Sequence, residues 1–253
     1  MTRSLILASL LTFGCESDTK CADSGTSSCD DDGFTSDPGN GDGDGGGENA
    51  ADDDGDGFSN AEEEAAGTNP NYAYSRPYTG GYNVGFCDTP PEPTGPTGVG
   101  QNTNGVEWAA YQAGDVVENW TMTDQYGEEV DLYSFCGKTV MVAFSAGWCG
   151  PCRGLAETMQ SMQDGYRDDD VQLIEVITGD NQNELPSIDF LMGWNDDYGF
   201  TDIPVLLPPR ATSWDAVTMQ WERDSYIPTV YVIGPDGTVL SADEGAHDPG
   251  SFL

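Results

Sequence analysis

The second half of this 253-residue chain is predicted to be an α/β domain, on three observations. Thr139 to Ser145 is an apolar run of strand length, Leu155, Met159 and Met162 then recur at helical spacing, and Val171 to Thr178 returns as a second apolar run. Strand, helix and strand in that order imply a crossover, which leaves the two strands parallel. Between the first strand and the helix stands Trp148-Cys149-Gly150-Pro151-Cys152.

Two thiols three positions apart at such a junction read as a redox couple. The attacking sulfur has to be a thiolate, and the unpaired N–H groups and dipole at a helix start stabilise its charge. Cys149 falls at that start. Pro151 suits the first turn because its missing N–H is not needed there, and the spacing keeps Cys152 close enough to attack a mixed disulfide on Cys149. A metal held by the pair would need two further ligands, and no second Cys pair or His cluster offers them. Cysteine-protease chemistry fails for want of a base, the one His being His247 near the end of the chain.

The elements around this unit follow from pattern and turn chemistry. Trp120 to Thr123 and Glu129 to Leu132 flank Asp124-Gln125-Tyr126-Gly127 as a hairpin. Ile188 to Tyr198 is helical and Tyr226 to Ile233 is a strand. Pro235-Asp236-Gly237 is a turn into Thr238 to Ser241, which makes Asp236 a turn residue rather than a catalytic acid. The globular domain is placed at 108–253.

The first half is of another kind. A formal charge of −37 excludes a nucleic-acid partner, because nothing could neutralise a phosphate backbone, and makes cations the expected company. Halophilic adaptation would produce the same acid excess. Met1-Thr2-Arg3-Ser4 followed by the apolar run Leu5 to Phe13 reads as an export signal, too short for a permanent span, and 1–14 is assigned to it. Residues 15–51 are mostly Asp, Gly, Ser and Asn with few apolar side chains, a composition that cannot offset chain entropy, so a disordered acidic tether is expected. As a flexible coil it would reach roughly 30–36 Å. Residues 71–107 show no period and are expected to be a loosely packed linker.

Between tether and linker, 52–70 has calcium-loop logic. A twelve-residue loop around a hard divalent ion wants oxygens at positions 1, 3, 5, 9 and 12, a backbone carbonyl at 7 and Gly at 6. Asp52, Asp54, Asp56, Asn60 and Glu63 stand at the oxygen positions, Phe58 at the carbonyl position and Gly57 at the bend. With Asp54 to Gly57, Glu62 to Glu64 and Gly67-Thr68-Asn69-Pro70, the stretch resembles the bacterial thrombospondin type 3 repeat, in a single copy. The alternative is more solvated acid.

Leu11-Thr12-Phe13-Gly14-Cys15 resembles a bacterial lipoprotein cleavage site, with Thr12 where an aliphatic residue is usual. The resemblance implies lipid on Cys15; plain secretion would leave it an ordinary thiol. Of the seven cysteines, setting aside Cys15, Cys149 and Cys152 leaves Cys21, Cys29, Cys87 and Cys136, which allow three connectivities. Cys21 with Cys29, and Cys87 with Cys136, is the favoured pairing in an oxidising compartment.

From about Gly114 to Leu240 the chain resembles the thioredoxin-like superfamily, in particular exported TlpA-like redoxins. The resemblance is carried by Gly114 and the hairpin, Gly137-Lys138, Phe144, Trp148 to Arg153, Ile227-Pro228-Thr229 and Pro235-Asp236-Gly237. It implies a central mixed β-sheet flanked by helices, here preceded by the acidic tether. It also implies a thiol-disulfide oxidoreductase that needs no cofactor for its redox chemistry. Cys149 and Cys152 would be catalytic, and the bond before Pro228 would be cis. Trp148, Gly150, Pro151, Ile227, Pro228 and Thr229 would shape the groove for a substrate backbone. Gly150-Pro151 resembles the reducing members, which points to protein thiols or disulfides as partners and to a membrane-borne electron donor. The implied place is the bacterial cell envelope, on the periplasmic side or outer surface.

The chain departs from the pattern in two ways. Many thioredoxins bury a carboxylate at the position of Ala143; Glu175 and Glu157 are the candidate substitutes. Asp248 to Leu253 reads as the start of a closing helix that is absent. A peroxiredoxin would need Thr or Ser three places before its reactive Cys, where Ala146 stands. The non-enzymatic alternative is a calcium-binding surface scaffold or adhesion protein with a redox-inert fold.

Overall fold

All eight residues of Thr139–Ala146 (β5) are buried, as a strand with neighbours on both edges and packing on both faces requires. The computed structural model describes residues 51–208, 220–221 and 226–244. On one edge of β5 runs the parallel Val171–Gly179 (β6), followed by the short parallel Val205–Leu206 (β7). On the other edge lie the antiparallel Thr229–Ile233 (β8) and Val239–Glu244 (β9). The sheet is therefore mixed, in the order β7-β6-β5-β8-β9. The crossover from β5 to β6 is the helix Gly150–Gly165 (α2).

Strand alternation sorts the core into two layers. Met141 and Ala143 of β5, with Leu173 and Ile177 of β6, face Leu155, Ala156 and Met159 of α2 and Leu191 and Trp194 of the helix Ile188–Tyr198 (α3). Ser187 caps α3 by accepting from the Phe190 amide, and Gly199 ends it in the left-handed conformation. Val140, Val142, Phe144, Ile174, Val176 and Tyr231 face the other way. They are covered by Val117, Trp120, Met122, Leu132, Phe135 and Trp221. Thr121–Thr123 (β3) and Glu129–Asp131 (β4) form the expected hairpin beside that layer. Its turn is held by Asp124 Oδ1, which accepts from the amides of Tyr126 and Glu128, and Gly127 supplies the positive φ of 84°.

Residues 71–107 differ from the expected loose linker. Tyr82 is buried in the core and donates to Asp124 Oδ2 at 2.7 Å. The Asn83 amide donates to Gln172 Oε1 at 2.8 Å, the Gly85 amide to the Ser134 carbonyl at 2.8 Å, and Cys87 is bonded to Cys136. Gly98–Gln101 (β1) then pairs with Glu107–Ala110 (β2), so a boundary at 108 falls inside a strand. The segment docks through isolated side chains with no regular spacing between them, and periodicity reports only regular elements. β8 likewise begins at Thr229 rather than Tyr226, because the apolar Tyr226-Ile227 leads into a cis Ile227–Pro228 bond and proline offers no ladder N–H.

Candidate active site and acidic loop

Cys149 is the N-cap of α2, with extended φ and ψ of −85° and 112°. Its sulfur accepts from the Cys152 amide at 3.2 Å, one of the donors that a helix start leaves unpaired. Pro151 occupies the first turn. Cys149 and Cys152 are joined as a disulfide with Cα atoms 5.3 Å apart, so the pair is in its oxidised form. Cys152 is fully buried, while Cys149 keeps 4% of its surface. The Ile227 carbonyl oxygen lies 3.5 Å from Cys149 Sγ, which brings the start of β8 and the cis Pro228 against the start of α2. Thr229 is buried there, its hydroxyl donating to the Tyr226 carbonyl at 2.7 Å.

Trp148 does not pack into the core. It is 48% exposed, and its indole donates to Asn183 Oδ1 at 2.9 Å, leaving a flat face at the rim of the pair. Arg153 is turned away from the sulfurs. Its Nε donates to the Gly147 carbonyl at 2.8 Å and its terminal nitrogen to Asn181 Oδ1 at 2.8 Å. The guanidinium thereby ties the segment before the motif to the loop after β6. A groove of about 370 Å³ opens beside this brace, lined by Arg153, Asn181, Phe190, Trp194 and Tyr198 among others. Asn181 and Asn183 carry no motif; the polar run Asp180 to Asn183 after an apolar strand was the available signal, and it announces only a loop.

Ala143 pairs in register with Glu175 on the neighbouring strand. Glu175 is fully buried, and its Oε2 accepts from the Trp194 indole at 2.8 Å. Burial pushes its carboxyl up to about 7, against the pull of Trp194 and Ser145. Glu157 is exposed on the outer face of α2.

The acidic loop is a separate cluster. The carboxylates of Asp52, Asp54 and Asp56 come within 4.8 Å of one another. Backbone amides organise them: Gly55 and Gly57 donate to Asp52, Asp56 to Asp54, and Phe58 to Asp56. Gly57 bends the chain at φ 97°. Glu63, on the helix Asn60–Ala66 (α1), is fully buried, and neither of its oxygens has a hydrogen-bond partner; Asp54 Oδ2 and Asp56 Oδ2 are in the same condition. Burial and then Asp56, Asp54 and Asp52 raise the Glu63 carboxyl to about 7. Crowded carboxylate oxygens without proton donors are what a hard cation satisfies, so this donor set fits calcium. Asn60 stands at the edge of this cluster. Its Oδ1 accepts from the Asp53 amide at 3.0 Å and its Nδ2 donates to Asp53 at 2.9 Å, so it closes the loop on itself.

Cys15, Cys21, Cys29, His247 and Asp248 to Leu253 lie outside the described residues, as do the expected signal and the tether up to residue 50. Among the described residues no helix is long and apolar enough to cross a membrane.

A mixed sheet with its cysteine pair at the start of the crossover helix, facing a cis-proline, defines a thioredoxin-like, TlpA-like thiol-disulfide oxidoreductase. Residues 113–242 match the AhpC/TSA family, and the chain belongs to it. The bacterial TSP3 repeat matches residues 52–73. Thiol-disulfide oxidoreductase ResA of Oceanobacillus iheyensis is 30% identical over 145 residues, covering 54% of this chain and 67% of that one. Its namesake from Bacillus subtilis is 24% identical over 132 residues, covering 52% and 67%. Among solved structures, the thioredoxin domain of a thiol-disulfide oxidoreductase from Bacteroides vulgatus is similar with a TM-score of 0.45 and 20% identity, covering 56% of this chain and 96% of that one.

Proposed function

We propose that this enzyme is exported, is held at the cell envelope by lipid on Cys15, and reduces or isomerises protein disulfides with Cys149 as nucleophile and Cys152 as resolving thiol. The observation that carries the reading is the Cys152 amide pointing at Cys149 Sγ from the first turn of α2. A reduced sulfur in that position meets a partial positive charge, which favours its thiolate. The thiolate attacks one sulfur of a substrate disulfide, forms a mixed disulfide and expels the other sulfur as a thiolate that takes a proton from solvent. Cys152 then attacks Cys149 Sγ, the second substrate sulfur leaves with the bonding pair, and the enzyme is left oxidised. Two electrons must be returned by a dithiol donor, for which a membrane-borne protein is the proposed class. Trp148, Gly150, Pro151, Ile227, Pro228 and Thr229 would line the groove for the substrate backbone.

In this reading 1–14 directs export, 15–51 tethers, and 52–70 binds calcium. Segment 71–107 packs with the redox domain that follows. Asp52, Asp54, Asp56, Asn60 and Glu63, with the Phe58 carbonyl, would hold the ion, which would neutralise the mutual repulsion of the carboxylates and stiffen the base of the tether.

Equilibration with glutathione followed by thiol alkylation tests the assignment. A pair poised near thioredoxin's potential of about −270 mV is expected. One poised near about −120 mV would reverse the direction of transfer. Loss of disulfide reductase activity in Cys149→Ser supports the enzyme, whereas full retention of biological activity in that variant would leave a calcium-binding scaffold as the better account.

A further inference from the structure

The groove of about 370 Å³ beside Arg153 extends from the cysteine motif along α3. Its near end is fixed to the motif through Arg153, whose Nε donates to the Gly147 carbonyl at 2.8 Å. Gly147 stands two residues before Cys149, so the two Cα atoms are within about 7.6 Å of each other. A polypeptide whose disulfide reaches Cys149 can therefore lay its neighbouring residues in the groove.

The longer wall is one face of α3. Phe190, Trp194 and Tyr198 recur there every four residues, with ring centroids 6.2 and 4.7 Å apart in succession. Trp194 is buried with its indole turned to Glu175, whereas Phe190 and Tyr198 are half-buried and leave ring surface to the groove. Asp189 and Asp197 flank these rings, both exposed. Among the described residues neither carboxylate has an ion pair or a hydrogen bond. Eight residues of helix set the two acids about 12 Å apart along the wall, the span of three to four extended residues. On the opposite wall Arg153 spends Nε and Nη2 on Gly147 and Asn181, and its Nη1 has no partner among the described residues.

We propose that this groove selects substrate polypeptides carrying a lysine or arginine within about four residues of the reacting cysteine. The inference rests on the reading of Cys149 as nucleophile towards a protein disulfide. The aliphatic stem of the basic side chain lies on the Phe190 and Tyr198 rings and its charge meets Asp197 or Asp189. Arg153 Nη1 donates to a backbone carbonyl of the same segment. An acidic side chain there would face two carboxylates against one guanidinium, and an apolar one would strip water from both acids without replacing it. The formal charge of −37 attracts any basic partner from a distance, but at 0.15 M salt that attraction is screened beyond about 8 Å, whereas the groove acts at contact.

Peptides with a single cysteine test the selection, differing only at the positions three residues to either side of it, both lysine, both alanine or both glutamate. Each is presented as a chromogenic disulfide, its cysteine joined to thionitrobenzoate. Cys149 of the reduced full chain attacks the peptide sulfur, and thionitrobenzoate, the better leaving group, departs with the bonding pair and is followed by its absorbance. At 0.15 M salt the lysine peptide is expected to react about tenfold faster than the glutamate peptide, with alanine between. Asp189→Asn combined with Asp197→Asn should bring that ratio to about threefold or less. Tyr198→Leu should lower it by about two- to fivefold. Asp168→Asn combined with Asp169→Asn removes the same charge beyond the far end of α2, whose 16 residues span about 24 Å, and should leave the ratio as in the wild type. Equal rates for the lysine and glutamate peptides in the wild type overturn the proposal. So does a ratio that survives loss of Asp189 and Asp197, or one that falls equally on loss of Asp168 and Asp169. If the Asp189 and Asp197 double variant does not fold, an unchanged ratio in Asp197→Asn alone overturns it. A wild-type chain that releases no thionitrobenzoate from any peptide would instead remove the Cys149 assignment on which the proposal rests.

Discussion

Tyr82 donates its phenolic hydrogen to Asp124 Oδ2 at 2.7 Å, joining a segment that looks like linker to the turn of the β3–β4 hairpin. Burial and the Asp124 charge push the Tyr82 hydroxyl far above its ordinary range, so it stays a donor. Asp124 keeps its two backbone donors whatever happens to Tyr82. Tyr82→Phe is therefore expected to lower unfolding free energy by about 1.5–3 kcal/mol, as for a lost bond to a charged group. Tyr82→Ala, which also opens a cavity, should cost about 3–5 kcal/mol. Urea midpoints of the oxidised protein check both, and an unshifted midpoint for Tyr82→Ala would mean that the segment is a dispensable arm.

The Cys87–Cys136 bond closes a loop with a sequence separation of 49. Replacing both residues by Ser should lower stability by about 2–4 kcal/mol, chiefly by freeing the unfolded chain. The reaction of Cys149 with the chromogenic disulfide should be unchanged, since Cys136 follows β4 and lies outside the cysteine-motif cluster. Loss of that reaction in a folded double variant would tie this staple to the active site.

Calcium at about a hundred times its dissociation constant should add about 2.7 kcal/mol to the unfolding free energy of the part that binds it. Glu63→Gln removes a charge from the buried end of the cluster and should weaken binding by about tenfold or more, measured by calorimetric titration. Titration heats that match buffer in the wild type would reduce Asp52, Asp54 and Asp56 to a solvated run of acids.

Glu175 also makes a stability prediction with a definite sign. Its folded-state carboxyl is raised from 4.5 to about 7, so the native state holds this proton more tightly than the unfolded chain. The stability gained by keeping it neutral is fully present below about pH 4.5 and is lost as pH rises towards 7. Glu175→Gln removes that dependence. The variant should gain on the wild type across this window by a few kcal/mol, on the order expected for such a shift, and hold a constant lead above it. Thermal scans of both oxidised proteins at pH 4.5, 6 and 8 give the comparison, and a pH-independent difference would place the acid in a more solvated setting.

The crossover and its motif were legible because both are local. Apolar runs mark Thr139 to Ser145 and Val171 to Thr178 as strands. The helix between them follows from three residues at helical spacing, and Pro151 marks its first turn. The acidic loop was legible for the same reason, since its three aspartates, its bend at Gly57 and Glu63 fall within twelve residues. Segment 71–107 was not legible. Tyr82, Asn83 and Cys87 each find a partner more than 40 residues away, and nothing in their own neighbourhood announces it.

Residue order by itself settled the α/β class, the position of a dithiol at a strand-to-helix junction and the clustering of Asp52, Asp54 and Asp56 in one loop, since these depend on spacing within a few turns of chain. Tertiary structure decided that Ala143 faces Glu175, that Ser145 stands beside it and that Arg153 braces a loop instead of a sulfur. Those relationships depend on strand register, and a slip of one residue would send each of these strand side chains to the opposite face of the sheet.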